Sequence, residues 1–376
     1  MKRQTHSELH THFLGMLSFQ GLINLLKECH YSGFPIDEEC NLDFENPIKR
    51  TQSIYFRIKD ALHVEKDHSV EYRLLNKLYY NRRELLKDLA DDIIERKGLD
   101  TGEVGKVRRI IHLKFLEAAL LELIEQEVLY VEISFSNPSY IKFMLDNLDP
   151  SIKEKIDVRF MLSTDRSNDL ESLQKDLKDI KKHTKNGYSI GFDFMGIEDA
   201  FEPQDLEPYP SIFGFEYKLD EIISILKDYP ESALRIHAGE THNSRENPIN
   251  TLRMIDRISK RKGIVIPPPE IRLGHAIYFT RTKEYVDLLK KFDCIVEFNA
   301  SSNKALENIS DFDELDYQFY LDNEIKLVLS TDGGGMYSTT LCDENKIAKL
   351  NTSKEEYKEI KSIDKTILKK KRKGGV

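Results

Sequence analysis

The feature that most constrains this chain is a series of short apolar runs whose C-terminal ends carry histidines and carboxylates. These ends are His10-Thr11-His12 near the start, His237-Ala238-Gly239-Glu240 past the middle, Gly274-His275 later, and Ser330-Thr331-Asp332 near the end. Eight runs read as strands: Thr5–His12, Val128–Phe135, Asp157–Leu162, Ser189–Phe194, Ala233–His237, Ile271–Ala276, Cys294–Phe298 and Ile325–Ser330. Runs such as Leu129-Tyr130-Val131-Glu132-Ile133 and Lys326-Leu327-Val328-Leu329 are nearly continuous in apolar residues, as parallel strands buried on both faces require. Between runs the apolar period becomes helical, with Phe19, Leu22, Ile23 and Leu26 on one stripe and Leu219, Ile222, Ile223 and Leu226 on another. Ser18 and Asp220 read as residues near helix starts. Strands alternating with helices predict an α/β fold. Because the chemistry comes from strand ends along the whole chain, a (β/α)8 TIM barrel is favoured over an open sheet with one switch point.

The 376 residues suffice for a single barrel domain spanning 1–376. The strand spacing is uneven, and roughly residues 18–127 read as a large helical insertion after strand 1 that covers the mouth. Pro267-Pro268-Pro269 predicts a rigid loop, and Gly333-Gly334-Gly335 a permissive one. About residues 365–376, rich in lysine, read as a flexible basic tail. Hydrophobic residues make up 40% and charged residues 32%, a globular balance, and no apolar run is long enough to span a bilayer. Met1 to Leu9 lacks the apolar core of a secretory signal. Cys29, Cys40, Cys294 and Cys342 show neither a C-x-x-C pair nor a disulfide framework, which suits a reducing cytoplasm. The formal net charge of -9 disfavours nucleic acid as a partner.

Side chains two apart on a strand face the same way, so His10 and His12 converge. Alone, H-x-H is weak evidence and reads more readily as two solvated or hydrogen-bonded histidines than as a metal site. His237 at another strand end and the carboxylate of Asp332 shift that balance. Three imidazoles with one carboxylate form a nitrogen-rich donor set that suits zinc better than magnesium. Glu240, so close after His237 at a strand end, reads as a general acid more readily than as a surface carboxylate after a turn, and His275, at a strand end after Gly274, reads as a catalytic group or as a satisfied core histidine. Asp193 reads equally well as a site residue or as a pin for the fourth strand. His6, His30, His63, His68, His112 and His183 have no partner pattern and read as structural or solvent-facing.

The segments Glu8 to His12, Tyr130-Val131-Glu132, Gly191 to Gly196, His237 to Glu240, Leu273-Gly274-His275, Glu297 to Asn303 and Ser330-Thr331-Asp332 run in one order over nearly the whole chain. That ordered set resembles the adenosine/AMP deaminase family of the amidohydrolase superfamily. The resemblance implies a barrel binding one Zn2+ per chain through His10, His12, His237 and Asp332, with water completing the shell. It implies Glu240, His275 and Asp332 as catalytic groups, with Glu240 protonating purine N1 while His275 and Asp332 orient and deprotonate the attacking water. Substrate contacts would fall to Gly196, by its backbone, and to Asp193 and Gly333. Hydrolytic deamination of an adenine nucleoside or nucleotide to the inosine form, with loss of ammonia, is the implied reaction.

Two departures bear on substrate choice. Leu14 stands where the family commonly has a sugar-binding aspartate, and Gly333 follows Asp332 where a second aspartate is common. Losing a polar partner in a buried site shifts discrimination strongly, so a modified or phosphorylated adenine compound is one expectation, with backbone N–H groups of Gly333-Gly334-Gly335 as a phosphate loop. A tight turn is the equal alternative for those glycines. Another amidohydrolase substrate, or a non-catalytic nucleotide-binding scaffold, remains open at this point. The H-x-E and P-C-x-x-C pairing of cytidine deaminases is absent. The expected partner is a small purine compound and no membrane, with a homo-oligomer or partner protein left open.

Overall fold

The computed structural model describes residues 6–30, 68–100, 102–166, 170–185, 189–196, 198, 210–229, 232–263 and 270–373. Thr5, Cys40 and the Pro267-Pro268-Pro269 loop lie outside the described residues. Eight parallel strands pair in chain order: β1 (His6–His12), β2 (Val128–Phe135), β3 (Asp157–Asp165), β4 (Ser189–Met195), β5 (Ala233–Ala238), β6 (Glu270–His275), β7 (Ile295–Phe298) and β8 (Lys326–Leu329). The ring closes where Thr11 bridges Asp332 in parallel. There the His12 N–H donates to the Asp332 carbonyl at 2.7 Å, and the Asp332 N–H to the His10 carbonyl at 2.8 Å. The fold is therefore the (β/α)8 TIM barrel expected from the alternation. Strand ends differ by a few residues, most at β3, which runs on to Asp165.

The period-two alternation of each strand divides the barrel into two environments. Phe192, Phe194, Leu234, Ile236, Leu273, Val296 and Phe298 face outward into the apolar shell beneath the helices. Burying each such side chain contributes about 1.5–3 kcal/mol. The intervening residues face inward and are charged. Arg235 Nε donates to Glu297 at 2.8 Å, from β5 to β7, and Arg272 pairs with Glu132, from β6 to β2. Strands that are not neighbours can touch this way only across the barrel interior. At the opposite end from the strand tips, Leu9, Tyr130, Ile295 and Val328 form a separate apolar plug.

That plug explains a correction. The expected flexible tail from about residue 365 is instead part of a helix, Lys354–Lys373, whose Ile367 and Leu368 are buried against the plug. Ile360, Ile363 and Ile367 recur at helical spacing, and the lysine run masks that stripe in the sequence. A second correction concerns Asp220, which lies inside the helix Pro210–Leu226 and pairs with Arg261 at 2.8 Å and Lys262 at 3.1 Å. Ser18 does cap its helix, accepting from Gly21 N–H at 2.9 Å.

Between β1 and β2 the described residues form the helices Phe13–Met16, Phe19–Glu28, His68–Lys97 and Val104–Glu125. Arg82, with its side chain buried, ties the long helix to the mouth of the barrel. Its guanidinium donates to the carbonyls of Leu14 at 2.7 Å, Leu17 at 2.9 Å and Gly335 at 3.3 Å. Gly335 is required there because a Cβ would run into the Leu17 carbonyl, and a Cβ on Gly334 would lie 2.9 Å from the Thr339 carbonyl. The glycine run is thus a packed turn against the first loop. No helix among the described residues is long and apolar enough to cross a membrane.

Candidate active site

Closure of the barrel assembles the first part of the site. The backbone bonds at the seam set His10 and His12 beside Asp332, whose Oδ1 lies 3.3 Å from His12 Nε2 and 3.8 Å from His10 Nε2. From β5, two residues beyond Arg235 on the same face, His237 joins them, with its ring centroid 4.7 Å from that of His10 and 5.3 Å from that of His12. Three overlapping triads hold ligand atoms within 4.8 Å of one another: His10, His12 and Asp332; His10, His237 and His275; His12, Asp193 and His237. Among the described residues, Nε2 of His10 and of His275 is buried without a hydrogen-bond partner, and buried His237 Nε2 has only the Asp193 carboxylate, at 3.4 Å and outside hydrogen-bond geometry. Buried polar atoms left this way cost about 1–3 kcal/mol each unless something fills the gap. A divalent cation satisfies such nitrogens, and three nitrogens with a carboxylate oxygen suit zinc. The residues therefore fit the metal.

The charged layer below orients these rings. His10 Nδ1 lies 3.0 Å from Glu297 Oε2 and 3.2 Å from Asn299 Nδ2. Donation from Nδ1–H to the carboxylate leaves the Nε2 lone pair facing the cluster, the arrangement seen in carboxylate–histidine–metal sets. Glu297 is itself held by Arg235 at 2.8 Å and Arg272 at 3.2 Å, and burial pushes its pKa up against the pull of those two cations. Burial, reinforced by Arg235, holds the His10 ring well below its ordinary value, and burial pushes His12 down to about 3. Both rings are neutral, as ligands must be. Although burial opposes its charging, His237 is pushed up to about 10 by Asp193, 3.4 Å away, and by Glu240. Burial pushes Asp332 up, against the pull of His275.

Gly274 supplies the space. A Cβ there would lie 2.8 Å from His10 Cε1 and 3.5 Å from His237 Cδ2. His275 and Asp332 both hold left-handed backbone conformations, with φ of 64° and 63°. Strain of order 1–3 kcal/mol per residue collects at sites that the surrounding structure over-determines.

Glu240 is buried, and its Oε2 lies 3.8 Å from His275 Nε2 and 4.0 Å from His237 Nδ1. His275 Nδ1 meets Asn303 Oδ1 at 3.1 Å, so the Nδ1–H tautomer directs Nε2 towards Glu240. Glu198 was not singled out in the sequence. Its carboxylate accepts from the N–H of Gly239 at 2.8 Å and of Glu240 at 2.7 Å, and from Asn247 Nδ2 at 3.0 Å. A buried carboxylate thus grips the peptide that carries Glu240. Only its position two residues after Gly196 could have drawn attention to it.

His12, His237, Glu240, His275, Asp332 and Gly196 line a cavity of about 480 Å³, joined by Leu14 and by Met195. Gly196 has φ of 103°, and Asp165 carboxylate atoms would lie 2.6–2.8 Å from a Cβ there. His10 stands behind the wall. Asp193 does not line the cavity: it is fully buried, pairs with Arg235 at 3.3 Å and Ser134, and is kept, despite burial, well below the carboxylate range by Arg235 and His237. Gly333 also lies outside the lining, its carbonyl accepting from Met336 N–H at 2.7 Å and Tyr337 N–H at 3.0 Å. His112, read as structural or solvent-facing, lines the cavity together with Arg83, which the sequence reading did not mark.

No family model matches the chain. It is 26% identical over 348 residues to the adenosine deaminase of Plasmodium gallinaceum, covering 84% of this chain and 87% of that one. It is also 26% identical over 350 residues to the N6-mAMP deaminase of Arabidopsis thaliana, covering 91% and 85%. The crystal structure of an Arabidopsis N6-mAMP deaminase shares the fold, with a TM-score of 0.63 at 20% identity over 94% of this chain and 90% of that one. So does a Burkholderia ambifaria amidohydrolase with bound Zn, at a TM-score of 0.57 and 11% identity over 96% and 84%.

Proposed function

Taking the chain as a divergent member of the adenosine/AMP deaminase family, we propose that it is an aminohydrolase that converts an adenine nucleoside or nucleotide to the inosine form and releases ammonia. The observation that carries this reading is one cavity whose wall brings together a metal-type cluster, a buried Glu240 on a clamped peptide, and His275. His10, His12, His237 and Asp332 would hold one zinc ion. When bound, zinc supplies a Lewis acid that makes water nucleophilic near neutral pH.

The chain's own groups do the rest. Glu240, protonated, donates to ring nitrogen N1 and makes C6 electrophilic. Water attacks C6; His275 and Asp332 orient it and take its proton. That proton passes to the amino nitrogen, the carbon–nitrogen bond breaks and ammonia leaves, and the C6 hydroxyl returns its proton to Glu240, leaving a carbonyl at C6 and a hydrogen on N1. Asn303 holds the His275 ring in the orientation this needs. Gly196 leaves room for the purine edge, where a side chain would clash. The curated relatives differ in whether their named substrate carries a phosphate, so the sugar end of the substrate is a separate matter. The cysteine pattern supports a cytoplasmic setting.

Ammonia release and inosine-type product from zinc-loaded protein, wild type against Glu240→Gln, test the reading. Loss of the proton donor lowers kcat about 10²- to 10⁴-fold. Full activity in Glu240→Gln would remove Glu240 from the chemistry, and no deamination of any adenine compound by the wild type would remove the reading.

A further inference from the structure

The chemical groups stand on strand ends, but part of the cavity wall comes from the helices between β1 and β2. Arg83, on His68–Lys97, and His112, on Val104–Glu125, both line it. Among the described lining residues, Arg83 is the only lysine or arginine. Its neighbour Arg82 is spent on the carbonyls of Leu14, Leu17 and Gly335, whereas Arg83 makes no hydrogen bond or ion pair among the described residues. An arginine left free on the wall of a ligand cavity offers a planar fork matched to two oxygens of a phosphate.

His112 is held from three sides. Its Nδ1 lies 2.8 Å from the Arg108 carbonyl, its ring stacks on Phe13 at 5.8 Å, and it meets the Tyr140 ring edge-on at 4.9 Å. With Nδ1–H donated to that carbonyl, Nε2 is the ring's uncommitted acceptor. Burial, then Arg83 and Arg108, lower its proton affinity, which keeps Nε2 an acceptor at neutral pH. A sugar hydroxyl is the natural donor.

We propose that Arg83 and His112 form a sugar–phosphate subsite and that the substrate is a purine nucleoside 5′-monophosphate, Arg83 holding the phosphate and His112 a ribose hydroxyl. This rests on the deaminase reading. At the glycine run 333–335, read as either a phosphate loop or a tight turn, the Cβ positions of Gly334 and Gly335 are taken by Thr339 and Leu17.

The test compares kcat/KM for AMP and for adenosine in wild type, Arg83→Gln, Arg83→Lys and, as a charge control outside the cavity, Lys106→Gln. It adds calorimetric binding of IMP and of inosine to the same zinc-loaded proteins. The wild type prefers AMP, and Arg83→Gln lowers the AMP-to-adenosine ratio about 10- to 100-fold, the worth of a hydrogen bond to a charged group. Arg83→Lys restores part of it as a point charge. Lys106→Gln leaves the ratio unchanged. IMP binds more tightly than inosine, and the difference shrinks in Arg83→Gln. A ratio unmoved by Arg83→Gln, or a wild type that prefers adenosine, overturns the subsite while deamination itself stands. IMP binding that depends on Arg83 without any purine turnover supports the subsite and removes the deaminase reading instead.

Discussion

Gly274→Ala adds one methyl group beside His10 in the proposed metal site. The new carbon would lie 2.8 Å from His10 Cε1 and 3.3 Å from His10 Nδ1. Carbon contacts settle near 3.5–4.0 Å, so a ring must retreat by about 0.7 Å or more. His10 has little room: it is fully buried, held by Glu297 at 3.0 Å, and approached by the Asn299 amide at 3.2 Å. Metal–ligand distances tolerate only about 0.2 Å, so a displacement of that size takes His10 out of its ligand position. Overpacking of this kind costs about 1–3 kcal/mol. Because the strain falls on the geometry proposed to hold zinc, and each 1.4 kcal/mol is about tenfold, zinc affinity is expected to fall about 10- to 100-fold. Competition for zinc against a fluorescent chelator measures it, with circular dichroism checking that the barrel still folds. Wild-type zinc affinity in a folded Gly274→Ala protein would show that His10 does not bind metal from the position beside Gly274.

Two further predictions follow from the same geometry. Glu198→Gln keeps one acceptor oxygen but turns an amide N–H toward the peptide it should grip, removing one of the bonds to Gly239 and Glu240. With about 1–3 kcal/mol lost at that peptide, kcat falls about 10- to 100-fold while zinc content and KM change little, as steady-state kinetics and metal analysis would show. Retained kcat would mean that Glu198 only shapes the loop. The charge on His237 sets the pH dependence of metal binding. Asp193 and Glu240 push its proton affinity up to about 10, so in the metal-free protein the ring is charged at neutral pH, and binding must displace that proton. Zinc affinity therefore rises with pH, about tenfold per unit below that value, and calorimetry in buffers of different ionisation enthalpy finds about one proton released per zinc. Zinc binding without proton release would contradict the charge assignment.

The barrel was legible because each strand announces itself locally, by apolar runs such as Val128–Phe135 and by alternation such as Leu234-Arg235-Ile236-His237. The metal-type residues were legible because they fall at strand ends, which the fold sends to one rim. What was hidden depends on contacts that no local pattern encodes. Arg235, Arg272, Glu132 and Glu297 look like ordinary charged residues until the barrel closes and places them face to face. Glu198 is a single carboxylate whose partners are backbone amides some forty residues away. His112 and Arg83 sit on helices whose facing is decided by Arg82 and by packing on β2. The tail was misread because five charged residues in a row, Lys369 to Lys373, outweigh two apolar ones before them.

Anomalous diffraction at the zinc edge, from crystals of zinc-loaded protein, tests the central claim most directly. The account predicts one peak per chain within bonding distance of His10 Nε2, His12 Nε2, a His237 nitrogen and Asp332 Oδ1. A loaded crystal with no peak among these atoms, or with the peak held elsewhere while the four side chains stand apart, would contradict it.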